Sequence, residues 1–340
     1  MAKKKSKRLL FTSIVMVPLF FTHCSHKVYD AAKSDAIDLD SFKRVLPLVF
    51  NSGFELGTEL YTHTPQMDWI KGVVHTVQPP NDWEPDIHNK NGLGEFRIYY
   101  EGGTRALREA KIVKDPLDAT NNVLMFHIAK PNVFLPSGEI KGRVQADLYS
   151  NKDLKEFFQS ERLLLPNDFN KLVAGTRPGE GDWLTLDEIW NDEQWTGKSK
   201  YPFRISMGLK KKDMGIEGSK LVFRVEAQTY SYETHKFSKY WEHEADDFDL
   251  PIGKWMTLDI YFKEGNINNG RFYLAATVDG KKNVLFNITD YTHHPNNPNP
   301  DGVSEYNPLK FYTSGKLVDY MNEQGGEMKI YWDDFKFWKK

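Results

Sequence analysis

Three stretches of period-two alternation constrain the fold of this chain more than any other feature. In residues 141–149, KGRVQADLY, Val144, Ala146 and Leu148 point one way, and Arg143, Gln145, Asp147 and Tyr149 the other. In 201–210, Phe203, Ile205, Met207 and Leu209 oppose Arg204, Ser206 and Lys210. In 221–230, Leu221, Phe223, Val225 and Ala227 oppose Arg224, Glu226, Gln228 and Tyr230. Period two puts each set on one face of a strand. Segments 254–263 and 271–279 alternate as well, joined by the turn-rich EGNINNG, and 327–338 reads as a closing strand. Many short runs of this kind, punctuated by Gly, Pro and Asn, predict an all-β sandwich. Helical signals are few. Residues 152–160 follow a Ser150-Asn151 cap, and Thr185 with Glu188 makes a capping box before Ile189 and Trp190. Residues 316–324 stop at Gly325-Gly326. The stretch 295–300, PNNPNP, reads as a loop, and one elaborated sandwich over residues 46–340 is the expected architecture.

The N-terminus is of another kind. Lys-Lys-Lys-Ser-Lys-Arg at 3–8 precedes the apolar run LLFTSIVMVPLFF at 9–21. A helix needs roughly 20 residues to span a bilayer, so this run is short for that task and reads as a secretory signal over 1–23. Cys24 follows at once and resembles the lipidated cysteine of a bacterial lipobox, with Phe21 and His23 departing from its usual residues. The polar residues 24–45 then form a tether. The expected location is the cell envelope, anchored by lipid to the outer membrane on its periplasmic or cell-surface side, or else secreted. Cys24 is the one cysteine, which excludes an intrachain disulfide and a zinc site built on several thiolates. Loss of residues 1–23 removes five Lys/Arg and no Asp/Glu, so the formal charge of −2 becomes −7. Nucleic acid is therefore not the expected partner, and an acidic ligand would need a local basic cleft.

The polar strand faces supply such groups. Arg recognises carboxylates in a bidentate fork, and Tyr and Trp offer flat surfaces suited to sugar rings. Arg143, Gln145, Tyr149, Arg204, Arg224 and Gln228 side by side would line a groove for an acidic polysaccharide or oligosaccharide. The competing reading is an exposed face with incidental cross-strand pairs. Trp183, Trp190 and Trp195 are either groove walls or the core of a loop insertion.

This strand pattern, with the closing IYWDDFKFW, resembles the concanavalin-like β-jelly-roll proteins, which include glucanases and polysaccharide lyases. The closest likeness is to lyases acting on uronate polymers such as ulvan, alginate or glucuronan. Arg143-Val144-Gln145 stands where those lyases carry Arg-x-Glu, and Lys310-Phe311-Tyr312 where a late strand carries Lys and Tyr; the sequence has no Gln-Ile-His motif. The resemblance implies β-elimination from a uronate, either cutting a glycosidic bond or expelling water from a terminal sugar. Such chemistry needs the carboxylate neutralised, a base for the adjacent proton and an acid for the leaving oxygen. Arg143, Gln145 and Arg224 are the neutralising candidates. Tyr312, Tyr230 and His235 are the acid/base candidates, with Lys310 as a charged neighbour.

Two rivals stand beside this reading. A jelly-roll glycoside hydrolase needs paired carboxylates, commonly as Glu-x-Asp-x-x-Glu on one strand. No such strand is read here, since Glu188 falls in the expected helix and EHEADDFD at 242–249 reads as a solvated loop. A non-catalytic surface glycan-binding lipoprotein would use the same groove without an activated base. No catalytic metal or cofactor is expected. Glu55 with Asp333 and Asp334 is a candidate structural Ca²⁺ set, against the simpler reading of one buried and one exposed carboxylate. His293-His294 reads as a loop pair, and LKKKD at 209–213 as a solvated strand end. If Cys24 carries the lipid, labelled palmitate should mark the wild type and leave Cys24→Ser unmarked; equal labelling would place the lipid elsewhere.

Overall fold

The computed structural model describes residues 46–340 apart from 56, 72, 75–80, 83–94, 101, 136–137, 177–182, 192–199, 232 and 235. Cys24, the expected signal and the tether lie outside the described residues. In chain order the strands are β1 (Leu48–Ser52), β2 (Glu59–Thr64), β3 (Met67–Lys71), β4 (Val73–Val74), β5 (Asn81–Asp82), β6 (Glu95–Tyr99), β7 (Arg108–Lys114), β8 (Asn122–Ile128), β9 (Val133–Phe134) and β10 (Ile140–Leu154). There follow β11 (Glu156–Leu164), β12 (Leu184–Trp190), β13 (Phe203–Lys211), β14 (Leu221–Ser231), β15 (Lys236–Glu244), β16 (Trp255–Lys263), β17 (Arg271–Val278), β18 (Lys281–Thr289), β19 (Val303–Ser314) and β20 (Met328–Lys339). Among the described residues two short α-helices interrupt them, α1 (Asn170–Ala174) and α2 (Gly315–Glu323).

One sheet runs β18-β17-β16-β11-β20-β8-β7, with β1 also paired to β20. The second runs β15-β14-β13-β12-β19-β10-β6-β3-β2, with β9 beside β10. The pairings that build these two sheets are antiparallel, and the result is the expected all-β jelly-roll sandwich. The alternation lies behind it: Val144, Ala146, Leu148, Phe203, Ile205, Met207, Phe223, Val225 and Ala227 are all buried. They meet Phe157, Leu258, Ile260, Phe262, Phe272, Leu274 and Trp332 of the other sheet in one core. Phe157 is a pivot, its ring centroid 5.2 Å from Phe262, 5.2 Å from Phe337 and 4.7 Å from Tyr306. Each such side chain contributes on the order of 1.5–3 kcal/mol by leaving water. With that inner face filled, the polar residues of β10, β13 and β14 face outward on the far side of the second sheet.

Several sequence expectations are corrected. Residues 152–160 are no helix: β10 runs to Leu154 and β11 starts at Glu156, with Lys155 between them and Asp153, near the end of β10, at φ 55°. Its alternation of Phe157, Gln159 and Glu161 inward fits a strand. The Thr185–Glu188 capping box is also absent, because 184–190 is strand β12 in the middle of the second sheet. Leu186 forms a bulge there, with Thr185 opposite Gly208 and Asp187 opposite Met207, and this extra residue breaks the period-two signal. Lys211 is not solvated; it is buried and donates to the carbonyls of Val173 (2.8 Å) and Gly175 at the end of α1. Residues 242–244 of the acidic run belong to β15, where Glu242 pairs with Arg224 and Glu244 with Lys210. The expected helix near 316–324 is α2, capped by Ser314 Oγ accepting from the Leu317 amide at 3.2 Å.

Gly208 is required by the bulge. A Cβ there would lie 1.9 Å from the Leu184 carbonyl oxygen. Gly208→Ala should cost about 1–3 kcal/mol or more through forced backbone movement, read as a lower urea midpoint; an unchanged midpoint would show that the bulge tolerates the methyl.

Candidate active site

The outward face of the second sheet forms the floor of a cleft of about 1020 Å³. Its lining reaches from β6 through β10, β19, β12, β13 and β14 to β15, six strand spacings or roughly 29 Å measured along the sheet. Register fixes who meets whom. Arg143 lies opposite Tyr312, and Gln145 opposite Lys310, on the paired strands β10 and β19. Tyr312 also lies opposite Thr185 on β12, which in turn faces Gly208 on β13, and Gly208 faces Arg224 on β14. A second row runs Tyr149, Glu305, Trp190, Arg204 and Gln228.

At the centre is a buried ion pair. Lys310 Nζ bonds Glu188 Oε2 and donates to Asn307 Oδ1 at 2.8 Å, with 1% of the Lys310 side chain exposed. The other Glu188 oxygen, Oε1, accepts from Arg204 Nη1 at 3.1 Å. Burial alone would push the Glu188 carboxyl up, but Lys310, Arg204 and Arg143 outweigh it and hold Glu188 below the usual carboxylate range. Burial and the nearby Arg143 charge hold the Lys310 amine below its ordinary value, with Glu188 opposing them. The network continues both ways. Arg204 donates to Gln228 Oε1 at 2.8 and 3.0 Å. Asn307 donates to Asp147 Oδ1 at 3.0 Å, and Asp147 accepts from Arg97 Nε at 3.0 Å. Burial and the neighbouring Asp147 raise Glu305, at the cleft wall, to about 8, so it keeps its proton at neutral pH.

Two further groups of the cleft lining stand beside this network. Gln145 is 2% exposed and its Oε1 has no hydrogen-bond partner. The Tyr312 ring carries the Arg143 guanidinium over it at 4.2 Å and packs edge-on against Trp183 at 4.8 Å. Lys310 Nζ lies 5.2 Å and Lys141 Nζ 5.5 Å from the same ring. No hydrogen bond engages the Tyr312 hydroxyl among the described residues.

The structure thus brings Arg143, Gln145, Arg204, Arg224, Gln228, Lys310, Tyr230 and Tyr312 to one cleft. Their jobs differ. Arg204 and Gln228 bond each other, and Arg224 pairs with Glu226 and Glu242. Tyr230 stands three strands across from Tyr312 and six residues along β14 from the Arg224 level with it, about 25 Å in all, so it is not a second group on the same proton; its ring packs on Phe237 at 5.0 Å in the aromatic rim. Tyr149 shares the face but sits outside the cleft lining, under the Arg97 guanidinium at 4.3 Å. His235 and Trp195 lie outside the described residues. Trp183 and Trp190 are cleft walls. Sequence reading missed Glu188, Asn307, Arg97, Lys141 and Glu305. For Glu188 the missed signal was LTLDEIW read as a strand with one extra residue.

Away from the cleft, Glu55, Asp333 and Asp334 do border one pocket of about 410 Å³, with Asp115, Asp118 and Arg162. Asp333 is buried and pairs with Arg162 at 3.0 Å, while Asp334 is exposed, the simpler arrangement expected of this pair. His293 and His294 lie in a loop, with His294 Nε2 3.2 Å from the Tyr240 hydroxyl.

No protein-family model and no curated protein matches the sequence. Among solved structures the chain is similar to a marine PL-14 alginate lyase from Aplysia kurodai, at 10% identity over 86% of this chain and 100% of that one, with a TM-score of 0.46. It is similar to an alginate lyase double mutant in complex with alginate tetrasaccharide, at 11% identity over 71% and 86%, TM-score 0.42. A β-porphyranase from the human gut bacterium Bacteroides plebeius is similar at 12% identity over 58% and 66%, TM-score 0.29.

Breaking the central pair by Glu188→Ala should cost about 3–5 kcal/mol, since it leaves Lys310 charged and buried. The double change Glu188→Met with Lys310→Met should recover most of it, measured by urea unfolding. Because Glu188 is held low, its contribution is present above the ordinary carboxylate range and is lost as pH falls through the lowered value. A double variant as unstable as Glu188→Ala would contradict the pairing.

Proposed function

We propose that the cleft carries out β-elimination on a uronate-containing polysaccharide or oligosaccharide. The observation that carries this is the cross-strand square of Arg143, Tyr312, Gln145 and Lys310 on the cleft floor, with the Arg143 guanidinium over the Tyr312 ring. The Gln145 amide and Arg143 guanidinium suit a carboxylate, and Lys310 adds positive charge behind them, so the negative charge that develops on that carboxylate is stabilised. Tyr312 moves the proton. In the elimination step its deprotonated oxygen takes the proton from the carbon beside the carboxylate; the C–H electron pair becomes the new C=C bond and the C–O bond beyond it breaks. The phenol then gives that proton to the departing oxygen and returns to its starting state. The leaving oxygen is glycosidic in chain cutting and a hydroxyl in loss of water. Trp190, Tyr230 and Phe237, which is 52% exposed, supply flat surfaces for flanking sugars.

Glu188 argues against acting as a hydrolase acid, because Lys310 and Arg204 engage its two oxygens. The N-terminal signal and Cys24 place this activity in the cell envelope in our reading. Incubation with alginate, glucuronan and ulvan should yield the ultraviolet absorbance of an unsaturated uronate. Tyr312→Phe should lower kcat about 10²–10⁴-fold while binding persists. Binding without absorbance across that panel would leave a glycan-binding protein, and new reducing ends without absorbance would indicate hydrolysis, with protonated Glu305 as its acid.

A further inference from the structure

Directly behind Glu188, between the two sheets, lies a polar cluster that the cleft chemistry does not use. Asp187 on β12 turns inward, 1% exposed, and Glu161 on β11 faces it from the opposite sheet, also 1% exposed. The Tyr306 hydroxyl links Asp187 to Gln159: it lies 2.8 Å from Asp187 Oδ2 and 2.7 Å from Gln159 Oε1, and Gln159 is two residues from Glu161 on the same inward face. Gln159 in turn donates to the Pro308 carbonyl at 3.0 Å. Both Glu161 oxygens and Asp187 Oδ1 are sealed from solvent without a hydrogen-bond partner. Two bare carboxylates could not be held so in a hydrophobic core, since burying an uncompensated charge is prohibitive. One proton on Glu161 turns one of its oxygens into a donor and gives Asp187 Oδ1 a partner, which engages two of the three orphans.

We propose that Glu161 and Asp187 form a clasp that holds a proton between the sheets, with Glu161 as donor, and that this clasp fixes the β12 bulge that presents Glu188 to Lys310. Burial raises Glu161 well above the ordinary carboxylate range, and Asp187 and Asp259 raise it further, with Gln159 opposing. Burial raises Asp187 too, as does Glu188, against Tyr306 and Lys310. Of these groups Tyr306 shares the interior with the clasp, whereas Glu188 and Lys310 lie on the cleft face of the second sheet and Asp259 on the outer face of β16, opposite its inward Leu258 and Ile260. Glu161 and Asp187 are positioning residues; neither lines the cleft. An acid raised on folding contributes stability in full below its unfolded value and loses it as pH rises through the folded one. Unfolding near neutral pH therefore releases the Glu161 proton.

The test is the pH dependence of urea unfolding in the full chain between pH 5 and pH 9, the range in which a raised carboxyl differs from an ordinary one. It does not depend on the elimination reading, since no turnover is measured. Glu161→Gln copies the neutral acid. It should fold, and should release about one proton fewer on unfolding than the wild type, so its stability changes less steeply with pH. Equal proton release in the two proteins overturns the clasp. Should Glu161→Gln fail to fold, infrared spectra of folded wild type at neutral pH decide: a protonated-carboxyl C=O band that weakens in Asp187→Asn supports the clasp, and no band attributable to a buried acid overturns it.

Discussion

The buried pair between Glu188 and Lys310 is the interaction on which the rest of the cleft depends. Each charge loses its water, at several kcal/mol per ion, and only close, fully engaged geometry offsets that loss. The structure meets this condition with Arg204 on the second carboxylate oxygen and Asn307 on the ammonium. Asn307 then links to Asp147 and Arg97, and Arg204 to Gln228, so one polar chain ties β6, β10, β19, β12, β13 and β14 together across the sheet. A satisfied network of this kind rigidifies its members. It holds the floor still under any chain lying across it.

That rigidity separates two kinds of side chain. Glu188, Arg204, Asp147 and Arg97 have their polar atoms turned on one another and act as scaffold. Gln145 and Tyr312 stand next to the scaffold with an amide oxygen and a hydroxyl that bond nothing described. The aromatic walls divide likewise: Trp183 packs against Tyr312, whereas Trp190 and Phe237 flank Arg204 at 5.4 and 5.1 Å. The acidic net charge of the chain leaves this local positive centre intact, because it lies in a concave, low-dielectric surface.

Much of this was legible in the sequence where period two held. Arg143, Gln145 and Arg224 were readable because β10 and β14 alternate where those residues lie, and alternation tells which face a residue takes; Lys310 and Tyr312 came from the resemblance, since 303–314 shows no clean alternation. Glu188 was not, because the Leu186 bulge shifts β12 by one residue and leaves Thr185 and Glu188 at helical spacing, where they mimic a capping box. Lys211 was misread since a run of lysines looks solvated, and only tertiary structure brings the α1 carbonyls to it. Tyr230 carried the right chemistry on the right face, yet position along and across the sheet, which no single strand reveals, set it apart from Tyr312. Glu161 directly follows the segment 152–160 read as helix, so its inward direction on a strand was hidden.

The most direct measurement compares two ligands on one inactive protein. Calorimetry on Tyr312→Phe would give the affinity of a uronate oligosaccharide and of the same oligosaccharide with its carboxylates reduced to alcohols. The expected result is tighter binding of the uronate, with the difference collapsing when Arg143→Ala and Gln145→Ala are added. Equal affinity for the two ligands, or a difference that survives those changes, would contradict a carboxylate seated at Arg143 and Gln145.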